Sequence, residues 1–177
     1  HYRAHFVGKL APRAAQIQRD FSGDREELTL SYQTVGTVRN PLGPTVSIYE
    51  DLRAHQDSHR RAELEARSCL SGPHKDDLAA WIDGQPARQF ASQGQTRTAA
   101  LSLKLAEREL FEDDTGQWPV LLLDDVLSEL DARRQDFVLD RITGGQVFIT
   151  SCEAPAGEIS RGKILHIHQG ALVDSPN

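Results

Sequence analysis

The chain has 177 residues, 38% of them apolar and 26% charged, with a formal net charge of −6. That length supports one domain with a proper core, or one lobe with a small appended subdomain, and excludes two full domains. No apolar run approaches the roughly 20 residues a membrane helix needs, and the acidic balance argues against a simple basic nucleic-acid binder.

The chain opens at His1-Tyr2 and contains no methionine, so it is expected to be a fragment of a longer product. Residues 4–20 (AHFVGKLAPRAAQIQRD) show helical periodicity that Gly8 and Pro12 are expected to break, and Ser22-Gly23-Asp24 punctuates the segment. From Leu28 to Val35 apolar and polar residues alternate with period two, which predicts a half-buried strand. The turn-rich Asn40-Pro41-Leu42-Gly43-Pro44 leads to a charged helix over about 46–67, read as an exposed lid or arm because no sustained heptad appears. Residues 1–60 carry eight Lys/Arg against seven Asp/Glu, whereas residues 61–177 carry twelve against nineteen. The acidic excess therefore belongs to the later part. Arg60 and Arg61 are candidate DNA contacts, equally explained by a solvated helix face.

A boundary is expected at 67/68, dividing a lid or arm subdomain (1–67) from a lobe (68–177). The two cysteines, Cys69 and Cys152, cannot build a disulfide framework, fit a reducing cytoplasm, and read as small buried hydrophobes. Ser71-Gly72-Pro73-His74-Lys75-Asp76-Asp77 forms a turn followed by charges, in which Asp76 could fix the His74 tautomer. A strand pair follows, around Leu78–Ile82 with a turn at Asp83-Gly84. Ser92-Gln93-Gly94-Gln95 precedes a helix over about 96–111, whose Ala99, Leu103, Ala106 and Leu110 share one face. Such a Ser-Gly helix start serves either as a helix cap or as an anion site. Trp81, Trp118 and Phe90 are expected to pack rather than to stack on bases.

The continuous apolar run at 120–123 predicts a parallel strand buried on both faces. A helix over 132–142 and a strand over 146–150 complete a strand–helix–strand unit with a right-handed crossover. The first of these strands ends in Asp124-Asp125, at the sheet edge where open α/β sheets bind ligands. Two readings stand: a strand-end turn with two solvated aspartates, or a Mg²⁺ site in which Asp124 holds the ion through water and Asp125 orients the attacking water. Later, Gly157 to Ile164 mimics a phosphate loop but lacks the final hydroxyl, and the alternating Ile164-Leu165-His166-Ile167-His168 after it predicts a strand instead of the required helix. His166 and His168 read as surface histidines.

The combination SGPHKDDL, FASQGQTRTAALSLKLAE and PVLLLDDVLSELD, in this order, resembles the RecF family of SMC-like, ABC-type ATPases, best from about Leu70 to Thr150. The resemblance implies an α/β fold: the C-terminal lobe of an ABC-type head with parallel strands and flanking helices, plus a small mixed α+β lid or arm subdomain at the N-terminal side. It implies ATP and Mg²⁺ as cofactors and an ATP-dependent homodimer acting on gapped or junction DNA, with RecO and RecR in loading RecA. By the same resemblance Ser92, Gln93, Gly94 and Gln95 form the signature motif, reaching the γ-phosphate held by the opposite subunit. Ser128 and Asp131 belong to the D-loop at the dimer seam, and Asp124 and Asp125 serve nucleotide in their own subunit. The phosphate loop is expected upstream. Where ABC-type heads commonly place a switch histidine, this chain has Thr150-Ser151, and a hydroxyl cannot carry a proton as imidazole does. Slow hydrolysis is expected in the full-length dimer and none in this chain alone. The alternatives are a non-catalytic DNA-repair scaffold module or another SMC-like head.

Overall fold

The computed structural model describes residues 1–152 and 162–173. Helix α1 (Tyr2–Ser22) runs without interruption through Pro12, correcting the expected break. Proline harms a helix by clashing with the carbonyl four residues back and by leaving it without a donor. Here the flanking residues Leu10, Ala14 and Ile17 are buried in the core, which offsets that local cost. The helix ends at Gly23, in the left-handed conformation with φ 64°, a position that glycine occupies without steric cost.

Strand β1 (Leu28–Gln33) pairs antiparallel with β2 (Asp77–Ile82), from Leu28 opposite Ile82 to Gln33 opposite Asp77. A turn at Asp83-Gly84 brings in the short β3 (Gln85–Pro86). Between β1 and β2 lies α2 (Thr45–Ala66), a helix with no buried residue, in line with the exposed charged helix expected over about 46–67. The expected boundary at 67/68 falls at the end of α2. Strand β1 and helix α1, before it, pair with β2 and pack on α4, after it.

A single helical turn, α3 (Ala87–Phe90), precedes the long α4 (Gln93–Thr115). Then come β4 (Leu121–Asp124), a 3-10 turn over Leu127–Glu129, α5 (Ala132–Arg141) and β5 (Val147–Thr150). Strands β4 and β5 are parallel, with Leu121 opposite Val147 and Asp124 opposite Thr150. The hairpin of β6 (His166–His168) and β7 (Ala171–Val173) closes the described chain. Its two turn residues, Gln169 and Gly170, both have positive φ, as tight hairpin turns require.

The core lies where α1 crosses α4: Ala14 and Ile17 of α1, Leu105 and Ala106 of α4, Leu28 of β1, Leu121 and Leu123 of β4, and Val138 of α5 are buried together. Inside it, Ser102 donates to Gln18 at 3.0 Å and Gln18 donates to Glu26 at 2.7 Å, so the buried polar pair is satisfied. The other face of the β4–β5 ladder departs from expectation. Leu122 is 67% and Phe148 51% exposed, so β4 is buried on one face only. Leu121 and Leu123 turn to the core, and among the described residues no element lies over their neighbours. No helix among the described residues is long and apolar enough to cross a membrane.

Trp118, just before β4, and Gly144-Gly145, just before β5, are locked together. The Arg108 side chain lies 4.2 Å from the Trp118 ring centre and donates to the carbonyls of Thr143 and Gly144. Burial holds this guanidinium below its ordinary range. The clamp sets where both strands begin. Phe90, by contrast, is 64% exposed and does not pack. Cys69 and Cys152 are also exposed; both lie outside the helices and strands.

Candidate functional site

Asp124 is the last residue of β4, on the same exposed face as Leu122. Opposite it, the Thr150 hydroxyl donates a short hydrogen bond to the Asp124 carboxylate. Asp125 leaves the strand with φ 53°, a conformation that costs a non-glycine residue about 1 kcal/mol. It is held there by its own amide, which donates to the Thr150 carbonyl at 3.1 Å and to the Thr150 hydroxyl at 3.0 Å. Thr150 thus meets Asp124 at its carboxylate and Asp125 at its backbone amide.

The next turn closes over Asp125. Ser128 Oγ donates to Asp125 Oδ1 at 2.6 Å and lies 3.1 Å from Ser151 Oγ. Leu127 and Leu130 are buried on either side, and the Gln135 side chain of α5 donates to both their carbonyls, at 2.8 and 3.1 Å. Asp131 caps α5: one carboxylate oxygen accepts from the Arg134 amide at 3.0 Å, and the other meets the Arg134 guanidinium at 3.2 Å. Five of the residues singled out in the sequence, Asp124, Asp125, Ser128, Thr150 and Ser151, are therefore one hydrogen-bonded group at the C-terminal edge of a parallel strand pair. That edge is where α/β sheets take their ligands.

The second group stands apart. Ser92 is the N-cap of α4, and Ser92 and Gln95 form a reciprocal capping box, Gln95 N to Ser92 Oγ at 3.2 Å and Ser92 N to Gln95 Oε1 at 2.9 Å. The helix therefore begins three residues earlier than expected, and Gly94 and Gln95 lie within its first turn. Capping uses the Ser92 oxygen as acceptor and leaves its proton to donate. The amides of Gln93 and Gly94 have no intrahelical partner, and open space surrounds the Gly94 Cα where a side chain would be. No hydrogen bond among the described residues joins this group to the carboxylates.

Hard oxygen donors of the Asp124 kind suit Mg²⁺, which is usually held by one or two carboxylates with water and phosphate completing its shell. Among the described residues no group of three or more His, Cys, Asp or Glu could hold a metal ion on its own. His166 and His168 stand on β6. The phosphate-loop mimic at Gly157–Ile164 lies largely outside the described residues, but β6 follows it as a strand. His74 Nε2 faces the Cys69 carbonyl at 3.4 Å. Asp76, just before β2, instead accepts from the Tyr32 hydroxyl and from the Val35 amide at 3.4 Å. Burial, reinforced by Asp76, pushes the Tyr32 phenol up to about 12. The sequence reading missed Gln135, whose grip on the turn has no local signature.

No family model matches the chain. The DNA replication and repair protein RecF of Staphylococcus epidermidis is 41% identical over 175 residues, covering 97% of this chain and 47% of that protein. RecF of Bacillus subtilis is 39% identical over 182 residues, with the same shares. The fold of the recombination mediator protein RecF-ATP in the RecFOR pathway matches with a TM-score of 0.80 and 34% identity, over 97% of this chain and 45% of that one. A second structure of that protein, RecF-ATPrS, gives 0.79 and 33%. The chain thus spans about half the length of the relatives it matches. With that identity sustained across nearly all of its residues, and with the matching fold, the chain belongs to the RecF family.

Proposed function

We propose that this chain is the C-terminal half of a RecF-type recombination and repair protein, which binds ATP with Mg²⁺ between two copies of itself and acts on DNA at gaps or junctions. RecO and RecR are its proposed partners in loading RecA, in the cytoplasm. The observation that carries the reading is the pair Asp124 and Asp125 at the end of β4, the first bonded through its carboxylate and the second through its backbone amide to one residue of the neighbouring strand.

Asp124 would hold Mg²⁺ through water. When bound, the ion neutralises charge on the phosphate oxygens. Asp125 orients a water molecule whose oxygen attacks the γ-phosphorus. The bond to the bridging oxygen breaks, ADP leaves with the electron pair, and the water's proton passes to the Asp125 carboxylate. Ser92 and the free amides of Gln93 and Gly94 suit the γ-phosphate of a nucleotide held by the second copy, because a helix N-terminus favours an anion. On this reading Asp131 lines the seam while capping α5. Thr150 and Ser151 offer hydroxyls where an imidazole would shuttle a proton, which supports slow hydrolysis with ATP as a timing switch; stimulation by DNA is part of the family reading proposed above.

The test is Asp125→Asn in the full-length protein. ATP-induced dimers should persist while hydrolysis is lost; hydrolysis at the unmodified rate would overturn the assignment.

A further inference from the structure

The carboxylate that handles the attacking water must point one way, and the backbone alone does not ensure that. The Asp125 amide is fixed by Thr150, yet the side chain retains its own rotations. Ser128 removes that freedom by taking Oδ1 at 2.6 Å, which leaves Oδ2 as the oxygen open to a water molecule. A serine hydroxyl has one proton. Ser128 gives its proton to Asp125, so in the 3.1 Å contact between the two serines Ser151 is the donor. The relay therefore runs Ser151 to Ser128 to Asp125, each bond polarising the next. Ser128 does not float: it sits on the turn whose flanking leucines are buried and whose carbonyls Gln135 holds.

We propose that Ser128 is the positioning residue for Asp125 and that Ser151 supports it, so that the turn preceding Asp131 sets the aim of the hydrolytic carboxylate. This rests on the proposed role of Asp125 and adds how that role is regulated: a displacement of the turn at the seam between two copies changes the carboxylate's direction. Hydrolysis is then coupled to dimer geometry through one hydroxyl.

The experiment is steady-state ATP hydrolysis by the full-length protein carrying Ser128→Ala, Ser128→Thr, Asp125→Asn, or Ser128→Ala with Asp125→Asn. ATP-induced dimerisation is followed by light scattering, and thermal unfolding is recorded for each variant. Ser128→Ala should lower kcat roughly ten- to a hundredfold, the scale expected for a misaimed catalytic group, with KM, dimerisation and melting unchanged. Ser128→Thr, which keeps the hydroxyl, should recover most of the rate, and the double variant should be no slower than Asp125→Asn alone. If Ser128→Ala keeps its kcat while Asp125→Asn loses hydrolysis, the positioning role is wrong and the role of Asp125 stands. If Ser128→Ala loses ATP-induced dimers, the hydroxyl acts at the seam and not on Asp125, and the proposal fails. Normal hydrolysis by Asp125→Asn would remove the reading beneath it.

Discussion

The Thr150 hydroxyl serves both aspartates at once: it donates to the Asp124 carboxylate and accepts the Asp125 amide at 3.0 Å. A single oxygen on β5 therefore sets the direction of the Asp124 carboxylate and of the backbone that carries Asp125. Thr150→Val keeps the shape and removes the hydroxyl. The Asp125 amide retains the Thr150 carbonyl at 3.1 Å, so the stability loss should stay near about 1 kcal/mol. The larger effect is expected on the Mg²⁺ concentration required for half-maximal hydrolysis by the full-length protein, which should rise. Titrating Mg²⁺ at saturating ATP checks this, and an unchanged midpoint would show that Thr150 does not orient Asp124.

The clamp before the two strands offers a test of stability alone. Gly145 has φ 66°, and a Cβ there would lie 2.6 Å from the Trp118 Cβ. Gly145→Ala combines left-handed strain with overpacking, each costing on the order of 1 kcal/mol or more. Thermal unfolding should show a clear drop in Tm relative to the unmodified protein. A variant at Gly84, also left-handed but with open space around it, should lose only the backbone share. Equal losses at the two sites would mean that the Trp118 contact contributes nothing.

How much of this was legible beforehand depends on whether the signal was local. The alternation from Leu28 to Val35 and the one-sided apolar spacing of α4 are local, and both elements formed where those patterns lie. Pro12 misled because a proline's local cost is not decisive in a helix whose residues on both sides of it, Leu10, Ala14 and Ile17, are buried in the core. The apolar run at 120–123 misled differently: an unbroken apolar run states what a strand prefers on both faces, not whether both are covered in this chain. The place of Asp124 and Asp125 followed from that run. Their different hydrogen bonds to Thr150 did not, because these depend on the left-handed turn at Asp125 and on a hydroxyl 25 residues further along the chain.

Tyr32 supplies a pH signature. Its phenol is raised from 10.0 to about 12, first by burial and then by Asp76. The folded state therefore holds the proton more tightly than the unfolded chain, and this contribution is fully present below about pH 10 and lost as pH rises toward about 12. Denaturation midpoints of the unmodified protein should fall across that window. Tyr32→Phe, starting lower because Asp76 loses its donor, should fall less steeply over the same interval. Parallel curves for the two proteins would place the alkaline sensitivity elsewhere.

Ser92 is the residue on which cap and phosphate contact can be separated. Its oxygen caps α4 by accepting the Gln95 amide, and aspartate caps a helix about as well as serine does. Ser92→Asp should therefore leave thermal stability nearly unchanged. If Ser92 also faces the γ-phosphate of the second copy, the same variant places a carboxylate against an anion, and ATP-induced dimerisation of the full-length protein should be lost. Ser92→Arg should block the dimer by bulk while ATP binding by a single subunit persists. Light scattering with and without ATP, paired with nucleotide binding at low protein concentration, measures both. Dimers that form normally with Ser92→Asp would reduce this serine to a helix cap, and the signature motif's role would then fall to the amides of Gln93 and Gly94 alone.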